Sequence, residues 1–199
     1  MTKALNRYNW TVFMLKLLKF TGNAIGLFFL SILSFHASAN EIWIDVNTTE
    51  HTLTVMQGDK VQQTFEKIAI GRFGTTWYKI TKDDKTPLGD FRIGWINEQS
   101  RYHRFFGLDY PNRETAQRAL EENLISEETW LSILKATNQE RTPPQNTVLG
   151  GYIGIHGIGR GDPEIHDQFH WTNGCIALTN EQIDQLGKWL KPGVMVKIR

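Results

Sequence analysis

Apolar side chains return at every second position in a series of short runs, and that period limits much of this chain to strands with one buried face. Ile42, Ile44 and Val46 alternate with Trp43 and Asp45 over residues 41–46. Runs at 51–56 and 61–70 flank Gln57-Gly58-Asp59-Lys60, where Gly58 supplies the freedom of a hairpin turn. Phe91, Ile93 and Trp95 alternate over 90–96, after a turn at Pro87-Leu88-Gly89, and residues 151–156 and 194–198 complete the set. Residues 71–85 are polar and broken by glycine, so they read as a loop.

Helical spacing appears in two places. Asn112 is suited to cap a helix over 113–122, and Ser126 a second one carrying Trp130, Ile133 and Leu134. Pro143-Pro144 ends that insertion. Near the C-terminus Thr179 and Gln182 have the spacing of a capping box, opening a helix with Ile183, Leu186 and Leu190 on one face until Pro192-Gly193 stops it. The expected fold is mostly β, with a helical insertion and a C-terminal helix. Strands outnumber helices and do not alternate with them regularly, which argues against a doubly wound sheet.

The first 39 residues are set apart by composition. Lys3, Arg7, Lys16 and Lys19 precede an apolar run from Ala24 to Phe35, and Ala37-Ser38-Ala39 has the small-x-small form of a cleavage site. This reads as a signal peptide over 1–39, cut after Ala39, with the apolar run too short for a comfortable membrane span of about 20 residues. Without those four basic residues the chain is slightly acidic, since all 21 Asp and Glu lie beyond them. No basic run or basic-aromatic stripe points to nucleic acid. Residues 40–199 are of ordinary single-domain size.

Export sharpens the meaning of the single cysteine, Cys175. Cysteines in oxidising compartments are normally paired, and a lone one is retained for its reactivity. A thiol nucleophile needs a base and donors for the oxyanion it creates. His156 ends an expected strand and precedes Gly157, while Cys175 follows Gly174 at the start of an apolar segment. Neighbouring strands would bring the two side chains together. Gly174 would let the chain turn so that amides of Asn173, Gly174 or Cys175 face an oxyanion, with Thr172 positioning the loop by a side-chain bond to backbone.

His156-Gly157, fourteen intervening residues, then Thr172-Asn173-Gly174-Cys175-Ile176 resembles the signature of the L,D-transpeptidase (YkuD-type) catalytic domain. Thr86-Pro87-Leu88-Gly89-Asp90-Phe91 after Ile70-Gly71, Phe106-Gly107-Leu108-Asp109-Tyr110-Pro111-Asn112 and Leu149-Gly150-Gly151 extend the resemblance over residues 40–199. It implies a β-sandwich or barrel-like domain working in the periplasm or cell envelope, of a Gram-negative cell by that resemblance. Cys175 would form a thioester with the third residue of a peptidoglycan stem tetrapeptide and release D-Ala. His156 would move the proton, held in its tautomer by the Gly157 carbonyl. A stem amine, an envelope lipoprotein lysine or a D-amino acid would then take the acyl group. Trp171, Tyr152 and Gly151 are expected to wall the substrate groove, with Trp77, Tyr78, Tyr102, Phe105 and Phe106 divided between groove and core. No cofactor is implied.

Two positions depart from the family pattern: many members carry His where Asn173 stands, and Arg where Ala177 stands. Alternatives remain beside this reading. Water as acceptor would make the protein an L,D-carboxypeptidase or amidase, and a silent peptidoglycan-binding module would need neither Cys175 nor His156. His156, His166, His170 and Cys175 are zinc-ligand types, but their spacing lacks the regularity of a zinc site, so no metal is expected. NlpC/P60-type peptidases place cysteine before histidine, the reverse of this chain; sortases keep histidine first but space the pair more widely and follow the cysteine with an arginine, and none follows here until Arg199.

Overall fold

The computed structural model describes residues 40–199, so the leader expected over 1–39 lies outside them. Ten strands and four helices follow in the order β1 (Ile42–Asn47), β2 (Thr52–Gln57), β3 (Lys60–Glu66), β4 (Thr75–Thr76), β5 (Thr86–Pro87), β6 (Gly89–Ser100), β7 (His103–Leu108), α1 (Arg113–Glu121), α2 (Glu127–Asn138), β8 (Gly154–Gly157), α3 (Pro163–Gln168), β9 (Ile176–Leu178), α4 (Asn180–Leu186) and β10 (Met195–Ile198). Eight of the strands form one mixed sheet in the order β3-β2-β1-β10-β6-β7-β8-β9. The mostly β architecture expected from the alternation is the one observed.

That alternation is spent on a single core. Ile44, Val46, Leu53, Val55, Phe91, Ile93, Val196 and Ile198 are all buried on the same side of their strands. The last strand pairs in parallel with the first, Ile44 opposite Val196, so both ends of the domain are tied into the sheet centre.

The run at 61–70 does not stay one strand. Lys67 takes a left-handed φ of 59°, which ends β3 at Glu66 and turns the chain out of that strand's line. Ala69 then exchanges both backbone bonds with Ala177 of β9, at 2.9 and 2.8 Å. The two ends of the strand order are thereby stitched together, and the sheet curls into a barrel-like form.

Three further differences from the sequence reading bear on the site. β6 runs on to Ser100 and pairs with β7, a strand the hydrophobic pattern left unassigned. Residues 97–100 are polar and half-buried or exposed, so no alternation marks them. α3 lies within residues 157–169, whose sequence is loop-like; Asp162 caps it through the Glu164 amide at 2.8 Å, and Pro163 opens it. α4 ends at Leu186, before Leu190, with Gly187 as its C-cap; the chain tightens there into turns in which the Lys188 and Trp189 amides donate to the Gln185 and Leu186 carbonyls at 3.3 and 2.9 Å. The caps at Asn112, Ser126 and Thr179, the last a full capping box, are where they were expected.

Candidate active site

β8 and β9 run in parallel with His156 opposite Ala177, which sets Cys175, one residue before β9, beside Gly154 at the start of β8. Cys175 and His156 line one cavity of about 840 Å³. Gly151, Tyr152, Trp171, Thr172 and Asn173 line it too, so the residues picked from sequence around the signature lie together. Of the other aromatic candidates, Tyr102 and Phe105 reach the cavity. Phe106 points into the core, fully buried, and Trp77 lies under the Arg118 guanidinium on the outer surface.

His156 is almost completely buried and sits in an aromatic slot. Tyr102 stacks on it at 4.3 Å between ring centroids, Phe105 at 5.9 Å, and Trp171 meets it edge-on at 5.8 Å. Its Nδ1 lies 2.7 Å from the Gly157 carbonyl oxygen. A carbonyl only accepts, so Nδ1 carries the hydrogen and Nε2 keeps its lone pair. Burial pushes the imidazole pKa down to about 4, against a smaller upward pull from the Gly157 bond.

The Cys175 thiol is half-buried and donates to the Tyr152 carbonyl at 3.4 Å. Burial pushes its pKa up to about 11, opposed by a backbone hydrogen bond from Gly154 and by the charge of Lys79. At neutral pH the resting pair is thus a thiol and an uncharged imidazole. Such a thiol needs its proton removed during attack, and a bare Nε2 is the group able to take it.

The signature loop is pinned by one hydroxyl. Thr172 Oγ1 donates to the Cys175 carbonyl at 2.7 Å and accepts from the Gly174 amide at 3.1 Å. This narrows the expected set of donors: the Gly174 amide is engaged, which leaves those of Asn173 and Cys175 as the loop's candidates for an oxyanion. Gly174 has φ of +123°, and a Cβ there would come within 2.5 Å of the Lys85 carbonyl oxygen, so no other residue fits the turn.

Sequence reasoning missed the cations around this loop. Lys79 is buried, pairs with Asp83 at 2.6 Å and reaches the Asn173 carbonyl at 3.4 Å. Arg72 donates to Asn173 Oδ1 at 2.8 Å and to the Trp171 carbonyl at 3.2 Å. Both come from the polar stretch that carries no periodicity, and only the fold shows that it wraps the cysteine loop. His166 and His170 lie behind Trp171 and do not line the cavity. His166 Nδ1 accepts from the Trp171 indole at 3.3 Å, and His170 faces His51 at 3.0 Å. Among the described residues, no group of three or more His, Cys, Asp or Glu is placed to hold a metal ion.

A family model for the YkuD L,D-transpeptidase catalytic domain matches residues 41–198. The chain belongs to that family. Its fold is similar to that of a K307A mutant of Pgp2, a helical cell shape determining protein from Campylobacter jejuni, at 21% identity and a TM-score of 0.54. That match covers 81% of this chain and 48% of the other. Bd1075 from Bdellovibrio bacteriovorus is similar at 19% identity and a TM-score of 0.50, over 80% of this chain and 48% of that one. The chain thus corresponds to about half the length of these proteins, and at such identities the likeness concerns the fold. A comparison with curated proteins finds no match.

Within the L,D-transpeptidase family the two atypical positions now have a physical setting. Asn173 is exposed and holds Arg72, so a cation reaches the loop from another segment. Ala177 is fully buried between His156 and Ala69, where a long side chain has no room.

The perturbed pair makes stability depend on pH from both sides. Between 6.5 and about 4 the unfolded chain takes up a proton at His156 that the folded chain refuses, so stability falls as pH drops through that window. The full loss is about 3 kcal/mol, at 1.36 kcal/mol per unit. Above 9 the unfolded thiol ionises while the folded one holds its proton to about 11, so stability falls again. Urea unfolding across pH is expected to show a plateau between 6.5 and 9. His156→Gln should flatten the acid limb. An acid limb unchanged in that variant would assign it instead to His166 and His170, whose pKa values burial also lowers.

Proposed function

We propose that this chain is an exported L,D-transpeptidase acting on peptidoglycan stem tetrapeptides, with Cys175 as nucleophile and His156 as general base. The carrying observation is the shared cavity: a half-buried thiol and a buried imidazole with a bare Nε2, in the register of the family signature. As sulfur bonds to the carbonyl carbon of the third residue, the S–H bond breaks and His156 Nε2 takes the proton. The C–N bond to the terminal D-Ala then breaks, the proton passes to the departing amine, and a thioester remains. An acceptor amine attacks that thioester, His156 takes its proton, and the sulfur recovers a proton as it leaves.

The chemistry of each group supports this order. An ion pair is not needed at rest, because the base acts as the bond forms. The amides of Asn173 and Cys175 are the donors left for the oxyanion once Thr172 has engaged that of Gly174. The basic, apolar leader supports export to the periplasm or cell envelope. Pgp2 is a cell shape determining protein with this fold, and an effect on cell shape belongs to the same reading.

Product analysis tests it. Purified protein incubated with tetrapeptide-rich peptidoglycan should release D-Ala and give 3→3 linked stems, with lipoprotein-linked or D-amino-acid-exchanged stems where those acceptors are supplied. Tripeptides alone would make water the acceptor and the protein an L,D-carboxypeptidase. Stems left intact, with no D-Ala released, would sink the reading and favour a binding module.

A further inference from the structure

The hairpin joining β6 to β7 turns at Arg101 and Tyr102, between Ser100 and His103. The Tyr102 amide donates to Ser100 Oγ at 3.1 Å, which sets the turn. The tip is pressed against the loop beyond His156. A Cβ at Gly159 would sit 2.2 Å from the Arg101 carbonyl oxygen, and one at Gly157 would sit 2.9 Å from that of Tyr102. Only glycines admit this approach, so the tip is fixed beside the imidazole.

Side chains continue the contact outward. Tyr102 stacks on His156, and the Arg101 guanidinium lies over the Tyr102 ring, 4.7 Å from its centroid, with Nη2 donating to the tyrosine oxygen at 2.7 Å. Arg101 lines the cavity and is exposed. The cavity's other guanidinium, Arg72, is committed to Asn173, Trp171 and, at 3.5 Å, Asp84. Among the described residues Arg101 has no carboxylate partner. An arginine fork with one donor used keeps enough N–H groups to hold a carboxylate.

We infer that Arg101 is a specificity residue that receives a free carboxylate on the leaving-group side of the donor peptide. The inference rests on the acyl-transfer reading above. His156 hands its proton to the departing amine, so the expelled residue lies on the imidazole's side, where Tyr102 and then Arg101 stand. In a stem ending in D-Ala that residue carries a terminal carboxylate two bonds from the departing nitrogen. Reading it would confine attack to the last peptide bond of the stem. A side-chain carboxylate on the third residue is the other source of the same chemistry.

The test compares wild type, Arg101→Gln and Arg101→Lys on three tetrapeptides: the free acid, the C-terminal amide, and one amidated at the third side chain. Initial rates of leaving-residue release give kcat and KM for each. Arg101→Gln should lower kcat/KM on the free acid by about 10- to 100-fold, mainly through KM, as expected for a charged hydrogen bond. Lysine should recover part of the loss, and the variants should match wild type on the terminal amide. If the side-chain amide abolishes the difference instead, the carboxylate received belongs to the third residue and the leaving-group placement is overturned. Equal loss on all three peptides would make Arg101 a mere support for Tyr102 and overturn the inference, as would no loss. A wild type that turns over none of them removes the acyl-transfer reading itself, and the inference with it.

Discussion

Cys175→Ala is expected to abolish the proposed acyl-enzyme and to lower turnover of stem tetrapeptides by at least about 10³-fold, to the background of the buffer. The chain has no second thiol to take over. Nor does a neighbouring hydroxyl stand ready. Thr172 is the closest candidate in sequence, but its hydroxyl bridges the Gly174 amide and the Cys175 carbonyl and is buried. Folding should survive the change. The thiol is half-buried and its bond to the Tyr152 carbonyl is long, at 3.4 Å, so the cost in stability is expected to stay below about 1 kcal/mol. The fall in stability that begins near 9 should shrink with the thiol removed, leaving the part due to Tyr110, whose phenol burial pushes well above its usual value. Intact mass after incubation with tetrapeptide, or with a carbapenem whose strained lactam carbonyl takes the place of the stem carbonyl, reads the adduct directly. An adduct of equal yield on the alanine variant would show that the nucleophile lies elsewhere.

Periodicity exposed the core and concealed the rim. Ile42 to Val46, Phe91 to Trp95 and Val194 to Ile198 each alternate because one face of the sheet is buried, and a period of two is what that burial writes into sequence. Much of the cavity's rim comes from segments with no such constraint. Asn97 to Ser100 carry β6 past the core, Arg101 and Tyr102 turn it, Arg72 and the loop-holding Lys79 sit in a polar stretch, and none of them repeats with either period. The break at Lys67 was hidden for a different reason. A left-handed residue inside an apolar run changes direction without changing hydrophobicity, and here it closes the sheet. His156 and Cys175 were legible because the chemistry proposed for them needs fixed residue types beside fixed glycines. The glycine after His156 shows why: it makes room for the hairpin tip that carries Tyr102.

His156→Gln leaves the proposed nucleophile in place and removes its proposed base, which should lower kcat/KM by about 10²- to 10⁴-fold. The pH profile separates this role from simple loss of packing. In wild type the imidazole is free to accept a proton at any pH above about 4, so the rate should be flat through neutrality and fall only as pH drops towards that value. The variant depends on the small fraction of thiol already ionised. With a thiol pKa pushed up to about 11, that fraction grows tenfold with each pH unit, and the variant's rate should climb in proportion towards that value. Alkylation of Cys175 by iodoacetamide, measured over the same range, reports the thiolate without needing substrate. Glutamine loses the stacking on Tyr102 and Phe105, and some stability with it, so the comparison is made where both proteins are folded. A variant that is slow yet flat with pH would mean that His156 holds the site in shape without moving the proton. A rate that climbs while alkylation climbs beside it leaves the imidazole as the group that makes a reluctant, buried thiol reactive at neutral pH.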